Sequence, residues 1–133
     1  MPILGNMTKI NQAVITLGGK GTRLADITED IPKPLWPILG ISTLERCIKQ
    51  LANYKISKFV FLVGYKEELF RKKIDYFTKK YNINILFHEE TSPKGEAGAL
   101  LEIINFLEEK FIFINGDIIF DIDIDKLIKF NEI

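Results

Sequence analysis

Gly18, Gly19 and Gly21 alternate with Lys20, Thr22 and Arg23 directly after a strand-like run, Ala13-Val14-Ile15-Thr16-Leu17. Glycine lets the backbone take φ > 0 and bring its N–H groups against anionic oxygens with no Cβ in the way. An arginine adds a planar, permanently charged fork that matches phosphate. The run Leu17–Leu24 therefore reads as a loop that wraps a triphosphate. Pro32-Lys33-Pro34-Leu35 follows and offers a second cation, held between two prolines on a stiffened loop. Two commoner phosphate loops are excluded by spacing. A Walker-type loop needs its lysine after the last glycine, whereas Lys20 precedes Gly21 and Arg23 follows Thr22. A dinucleotide fingerprint begun at Gly19 needs a glycine where Leu24 stands.

Two further segments carry chemistry. In Glu89-Glu90-Thr91-Ser92-Pro93-Lys94-Gly95-Glu96-Ala97-Gly98-Ala99-Leu100, small residues gather at a helix start, where a flat ring can lie against the backbone. The plain alternative is a turn leading into a tightly packed helix. Asn115-Gly116-Asp117 ends another strand-like run, and a carboxylate there can coordinate a divalent ion that neutralises polyphosphate. Its plain alternative is a turn-forming aspartate. Asp123 reads as the N-cap of a last helix, and no metal is assigned to it, to Asp121 or to Asp125. His88 has no histidine or cysteine near it in sequence, which argues against a metal role. Trp36, between Leu35 and Pro37, reads as packed surface.

The elements that must position these residues are legible as alternating patterns. Ala13–Leu17, Lys58–Val63, Ile83–Phe87 and Phe111–Asn115 are rich in Val, Ile and Phe, and Lys58–Val63 is apolar on both faces after its first residue. That is the pattern of a strand covered on both sides. Ser42-Thr43-Leu44-Glu45 reads as a capping box, followed by Leu44, Cys47, Ile48 and Leu51 at helical spacing. A second helix is expected over Lys66–Tyr81, with Leu69, Ile74 and Phe77 inward and its lysines outward. A third is expected over about Ala97–Leu107, carrying Leu100, Leu101, Ile104 and Leu107. The order β-α-β-α-β-α-β predicts an α/β fold with a parallel sheet. In such sheets ligands bind beyond the carboxyl ends of the strands. Gly18–Arg23, Glu89–Glu96 and Asn115–Asp117 all fall at those ends.

Composition bounds the rest. The chain has 133 residues, 47% of them hydrophobic, so a single core is expected. Residues 1–11 read as a tail and 12–133 as one domain. Eighteen basic and 18 acidic side chains leave net charge +0, so there is no electrostatic footprint for nucleic acid. An anion must be held by local geometry. The single cysteine, Cys47, excludes an intrachain disulfide and suits a reducing cytoplasm. Its place on an apolar helical face marks it as an inert core thiol. No apolar run approaches the ~20 residues that span a bilayer, and the N-terminus lacks the pattern of a signal peptide.

Taken in order, these motifs resemble the signature of the sugar-1-phosphate nucleotidyltransferases, the nucleotide-sugar pyrophosphorylases. The likeness lies in Ala13–Leu24, Ile31-Pro32-Lys33-Pro34-Leu35-Trp36-Pro37-Ile38, Ser92–Leu100 and Asn115-Gly116-Asp117, and spans about Gln12 to Asn131. Within the family the chain looks similar to the heptose- or mannose-1-phosphate guanylyltransferase-like group. The resemblance implies a Rossmann-like parallel sheet of the nucleotide-diphospho-sugar transferase type, here its N-terminal, nucleotide-binding half.

It also implies roles. Leu17, Gly18, Gly19, Gly21 and Thr22 would hold the nucleoside triphosphate, and Arg23 would stabilise departing pyrophosphate. Lys33 would contact the phosphates near the reacting centre. Glu90 and Gly95 would line the base pocket, with Glu96 close to the nucleotide, and Asp117 would be one of two aspartate ligands of Mg²⁺. A sugar-1-phosphate oxygen would attack the α-phosphorus in line, giving an NDP-sugar and pyrophosphate. Catalysis would come from positioning two polyanions and screening their repulsion.

Three departures modify that expectation. Thr16-Leu17 replaces the family's usual Leu-Ala, which puts a larger side chain where the loop begins. Glu96 stands where Thr or Leu is common. A carboxylate at Glu90 or Glu96 can accept from the N1–H and amino group of guanine, which favours GTP. Third, the sugar-binding wall, a further lysine and the second metal aspartate of the family have no counterpart in these 133 residues. Nucleotide binding rather than turnover is therefore expected of this chain alone. An open sheet edge and apolar helix faces would favour self-association. The alternative reading is a non-catalytic nucleotide-binding subunit that docks on a longer chain.

Overall fold

Alternating apolar and helical segments fold as expected into strands and covering helices. The computed structural model describes residues 9–17, 31–90, 95–118 and 123–131. Its strands are β1 (Gln12–Thr16), β2 (Pro37–Ile38), β3 (Ile41–Ser42), β4 (Lys58–Val63), β5 (Asn84–Glu89) and β6 (Ile112–Asn115). Its helices are α1 (Thr43–Asn53), α2 (Glu67–Arg71), α3 (Ile74–Tyr81), α4 (Gly95–Glu102) and α5 (Ile124–Asn131), with 3-10 turns at Lys33–Leu35 and Ile104–Phe106. The four long strands form one parallel sheet in the order β5-β4-β1-β6. The chain runs outward from β1 to β4 and β5, then returns to β6 on the other side of β1. The crevice between β1 and β6 is thus the topological switch point, where open α/β sheets bind ligands.

Strand alternation sorts the core into two layers. Ala13 and Ile15 of β1 pack with Phe59, Phe61 and Val63 of β4 against Leu44, Ile48, Leu51, Phe70 and Phe77. Val14, Val60 and Leu62 face the other way, against Ala99 and Ile103. Every residue of β4 after Lys58 is buried, as its two-faced apolar pattern predicts. Cys47 lies in the first layer, and burial pushes its thiol up to about 12, so it is protonated and inert.

Several local expectations are corrected. The helix expected over Lys66–Tyr81 is two helices. The Lys73 N–H donates to Phe70 O at 3.0 Å, an i→i+3 bond that tightens the chain between α2 and α3. Phe70, fully buried, is the inward residue of α2, while Leu69 is half-buried. The third helix stops at Glu102; Ala99 and, just past its end, Ile103 are buried, with Leu100 and Leu107 of the expected stripe partly buried against them. Leu101 and Ile104, the other two residues of that stripe, are exposed. The capping box forms by half. Ser42 Oγ accepts from Glu45 N–H at 3.1 Å, but Glu45 Oε2 accepts from Tyr81 at 2.7 Å, Tyr76 at 2.8 Å and Lys80 at 2.9 Å. The β2–β3 hairpin is a further element; its turn residues Leu39 and Gly40 have φ of 55° and 84°, as a tight two-residue turn requires.

Burial would raise the Glu45 carboxyl, but the Tyr81, Lys80 and Tyr76 hydrogen bonds and the Lys80 charge outweigh it and hold it below the ordinary carboxylate value. This cluster ties α1 to α3. At the far end of β1, buried Gln12 donates to Phe106 O and accepts from Glu108 N–H, both at 2.8 Å, tying β1 to the approach to β6. Among the described residues β6 ends the sheet, and Leu101, Ile104 and Phe106 are exposed. No described helix is long and apolar enough to cross a membrane.

Candidate functional site

The carboxyl ends of β1 and β6 meet side by side. Thr16 pairs with Asn115 in register, and the Thr16 hydroxyl donates to Asn115 Oδ1 across the mouth of the crevice. One residue on, Gly116 N–H donates to Thr16 O at 3.0 Å, and Leu17 N–H donates to Leu62 O at 2.7 Å. The chain enters the glycine loop from a point fixed to strands on both sides. Leu17 is 3% exposed, so its side chain is part of the core. It lies over Gly116: a Cβ added there would come 2.3 Å from Leu17 Cδ2 and 3.1 Å from Ile15 Cγ2. Glycine at 116 is what lets the two strand ends close up, and it presents Asp117 to solvent at the edge.

Lys33 reaches the same place from a distant part of the chain. Its 3-10 turn is closed by Leu35 N–H to Pro32 O at 2.9 Å and Trp36 N–H to Lys33 O at 3.1 Å. Pro32 and Pro34 are buried, which leaves the lysine between them projecting outward. Trp36 Nε1 donates to Ile31 O at 3.0 Å, and the Thr43 hydroxyl of α1 donates to Pro34 O at 3.1 Å. The Lys33 ammonium stands 3.7 Å from Asp117 Oδ2, with the two side chains 46% and 36% exposed. A pair so loose and so wet contributes at most about 1 kcal/mol. Both groups are therefore available to exchange partners with an incoming anion and cation.

Glu90 is at the same edge, two strands away. Its N–H donates to Val63 O at 2.7 Å, which places it about 10 Å from the end of β1 across two strand spacings. Gly95 and Glu96 are the first two residues of α4, and Thr91–Lys94 lie outside the described residues. Gly18, Gly19, Gly21, Thr22 and Arg23 lie outside the described residues. The geometry thus brings Lys33, Asp117 and the base of the glycine loop together, with Glu90 set apart along the edge. Sequence reasoning passed over Thr43, Asn115 as the Thr16 partner, and the Trp36 indole bond. Only the Thr16–Asn115 pair had a usable signal, since both are the last polar residues of adjacent strands.

Asp117 is one hard carboxylate oxygen donor. Among the described residues no group of three or more His, Cys, Asp or Glu could hold a metal ion. A single exposed carboxylate is a donor that could join substrate oxygens around Mg²⁺, which is commonly held by one or two carboxylates plus phosphates. His88 Nε2 is 2.8 Å from Glu102 Oε1, joining β5 to α4.

A parallel sheet with a lysine and an aspartate gathered at its switch point, where ligands of open α/β sheets bind, suits a nucleotide-handling α/β domain. Comparison makes the class definite: residues 12–132 match the nucleotidyl transferase family, and the chain belongs to it. It is 39% identical over 122 residues to the D-glycero-alpha-D-manno-heptose 1-phosphate guanylyltransferase of Campylobacter jejuni, covering 91% of this chain and 53% of that one. It is 39% identical over 118 residues to the bifunctional protein GlmU of Methanococcus maripaludis, covering 89% of this chain and 27% of that one. HddC from Yersinia pseudotuberculosis, of which one structure is complexed with GMP-PN, superposes with a TM-score of 0.80 at 30% identity, over 92% of this chain and 54% of that one. The chain spans about half the length of the guanylyltransferase and of HddC, and about a quarter of GlmU.

Proposed function

We propose that this chain binds a Mg²⁺-bound nucleoside triphosphate, with GTP favoured, at the carboxyl edge of its sheet. The reaction it serves is transfer of a nucleoside monophosphate to a sugar 1-phosphate. The observation that carries this reading is the meeting of Lys33 and Asp117 beside the start of the glycine loop. One group suits a phosphate oxygen and the other suits the ion that travels with it.

The roles assigned to residues outside the described ones are that Gly18, Gly19 and Gly21 would hold the phosphates and Arg23 would stabilise the departing pyrophosphate. Lys33 neutralises charge near the α-phosphorus. Asp117 would hold Mg²⁺ on the triphosphate, and the ion would supply positive charge that lessens repulsion of the sugar phosphate. The sugar-phosphate oxygen then forms a bond to the α-phosphorus as the bond to the pyrophosphate oxygen breaks. Glu90 or Glu96 selects the base, and Gly95 lines the base pocket. The similarity to a guanylyltransferase and to a structure complexed with GMP-PN supports the guanine preference. We assign residues 12–133 to the nucleotidyltransferase domain and 1–11 to a tail, and place the protein in the cytoplasm, where nucleoside triphosphates are made.

The single tryptophan, Trp36, lies three residues from Lys33 and reports on the site. Titration of its fluorescence with GTP, ATP, CTP and UTP in Mg²⁺ should show GTP binding most tightly. Tighter CTP or UTP would overturn the base assignment. The 133 residues alone should release no pyrophosphate when given a sugar 1-phosphate; steady release would show that they suffice for turnover.

A further inference from the structure

Lys33 does not hold itself in place. Its contact with Asp117 is long and wet, so where its ammonium can reach is set by the backbone of the turn that carries it. That turn has only three residues, and so short a 3-10 segment is weakly self-supporting. It needs an external fixture. The Thr43 hydroxyl supplies one at Pro34 O, the carbonyl directly after Lys33, in a buried bond of 3.1 Å. Thr43 is itself 5% exposed and is the first residue of α1, and α1 is rooted in the core through Leu44, Cys47, Ile48 and Leu51, each at most 1% exposed.

We infer that Thr43 is a positioning residue for Lys33, transmitting the rigid placement of α1 through the Pro34 carbonyl to the phosphate-facing ammonium. The inference rests on the functional reading above. Without the hydroxyl, the Pro34 carbonyl loses its partner in a buried place and the turn shifts to find water. The Lys33 ammonium then samples positions away from the triphosphate.

The test is a double-mutant cycle on the purified chain, read as affinity for Mg²⁺–GTP by calorimetry, with thermal melts of each variant. Thr43→Val should weaken binding about 3- to 10-fold, whereas Thr43→Ser, which keeps the hydroxyl, should stay within about twofold. In a Lys33→Ala background, Thr43→Val should cause no further loss, because the group it positions is gone. An equal factor in both backgrounds, or unchanged affinity in Thr43→Val, overturns the inference and leaves the functional reading intact. Unchanged affinity in Lys33→Ala itself overturns both. Thr43→Ala is made in parallel; if neither Val nor Ala folds while Ser does, Thr43 is a folding residue and the inference falls.

Discussion

Substitution of Gly116 by alanine probes the junction on which the site depends. The new Cβ would lie 2.3 Å from Leu17 Cδ2, 3.1 Å from Ile15 Cγ2 and 3.4 Å from Thr16 O, where ordinary contact begins at 3.4 Å. Ile15 and Leu17 are 0% and 3% exposed, so neither can swing into solvent. Relief must come from an off-rotamer Leu17 or from parting the ends of β1 and β6, and overpacking of this kind costs about 1–3 kcal/mol. Leu17→Ala alone removes buried methyls at a cost of about 2–5 kcal/mol. In the double variant the alanine methyl at 116 enters space the leucine vacated. The combined loss should fall short of the sum by about 1–2 kcal/mol. Urea unfolding followed by Trp36 fluorescence and circular dichroism, with equal slopes for all four proteins, measures each term. Losses that add within about 0.5 kcal/mol would refute the claim that Leu17 and Gly116 form one packed junction. Gly116→Ala should also weaken Mg²⁺–GTP binding, since the same displacement moves Asp117 and the entry to the glycine loop.

Two further outcomes follow from interactions away from the crevice. The folded state holds the Glu45 carboxyl below its ordinary value, so its contribution is present above the unfolded carboxylate range and is lost as pH falls through the folded value. Burial and the Glu45 hydrogen bond push the Tyr81 phenol up to about 12, so stability also declines as pH rises from about 10 towards that value. Urea midpoints across pH should fall on both flanks, and Tyr81→Phe should flatten both; an unchanged profile would remove the clamp between α1 and α3 from the account. Gln12→Leu leaves Phe106 O and Glu108 N–H without their partner and should cost about 2–4 kcal/mol by urea unfolding. A cost under about 0.5 kcal/mol would show that the buried amide contributes little.

The strands were legible as near-continuous apolar runs, and the four expected runs match β1, β4, β5 and β6 within two residues; their side-by-side order in the sheet was not. Asp123 was legible as a cap, and its Oδ1 accepts from Lys126 N–H at 3.2 Å. The division between α2 and α3 was not legible, because Lys72 and Lys73 carry no glycine or proline to mark it. The packing of α4 was legible in part: Leu100 and Leu107 of the expected stripe pack on the sheet, while Leu101 and Ile104 are exposed and small Ala99 and Ile103 are buried in their stead. In the site, Lys33 and Asp117 were each readable as candidates from local chemistry. Their meeting at 3.7 Å depends on the return of the chain to β6 beside β1, which no local pattern specifies. Thr43 was read only as a middle member of a capping box, because a hydroxyl bonding a carbonyl nine residues back leaves no periodic trace.

Calorimetric titration of the folded chain with nucleoside triphosphates, with and without Mg²⁺, bears most directly on the central assignment. The account predicts saturable binding of Mg²⁺–GTP that weakens about 10-fold or more in Lys33→Ala and loses its Mg²⁺ dependence in Asp117→Asn. No heat with GTP, ATP, CTP or UTP, or full affinity in both variants, would contradict it.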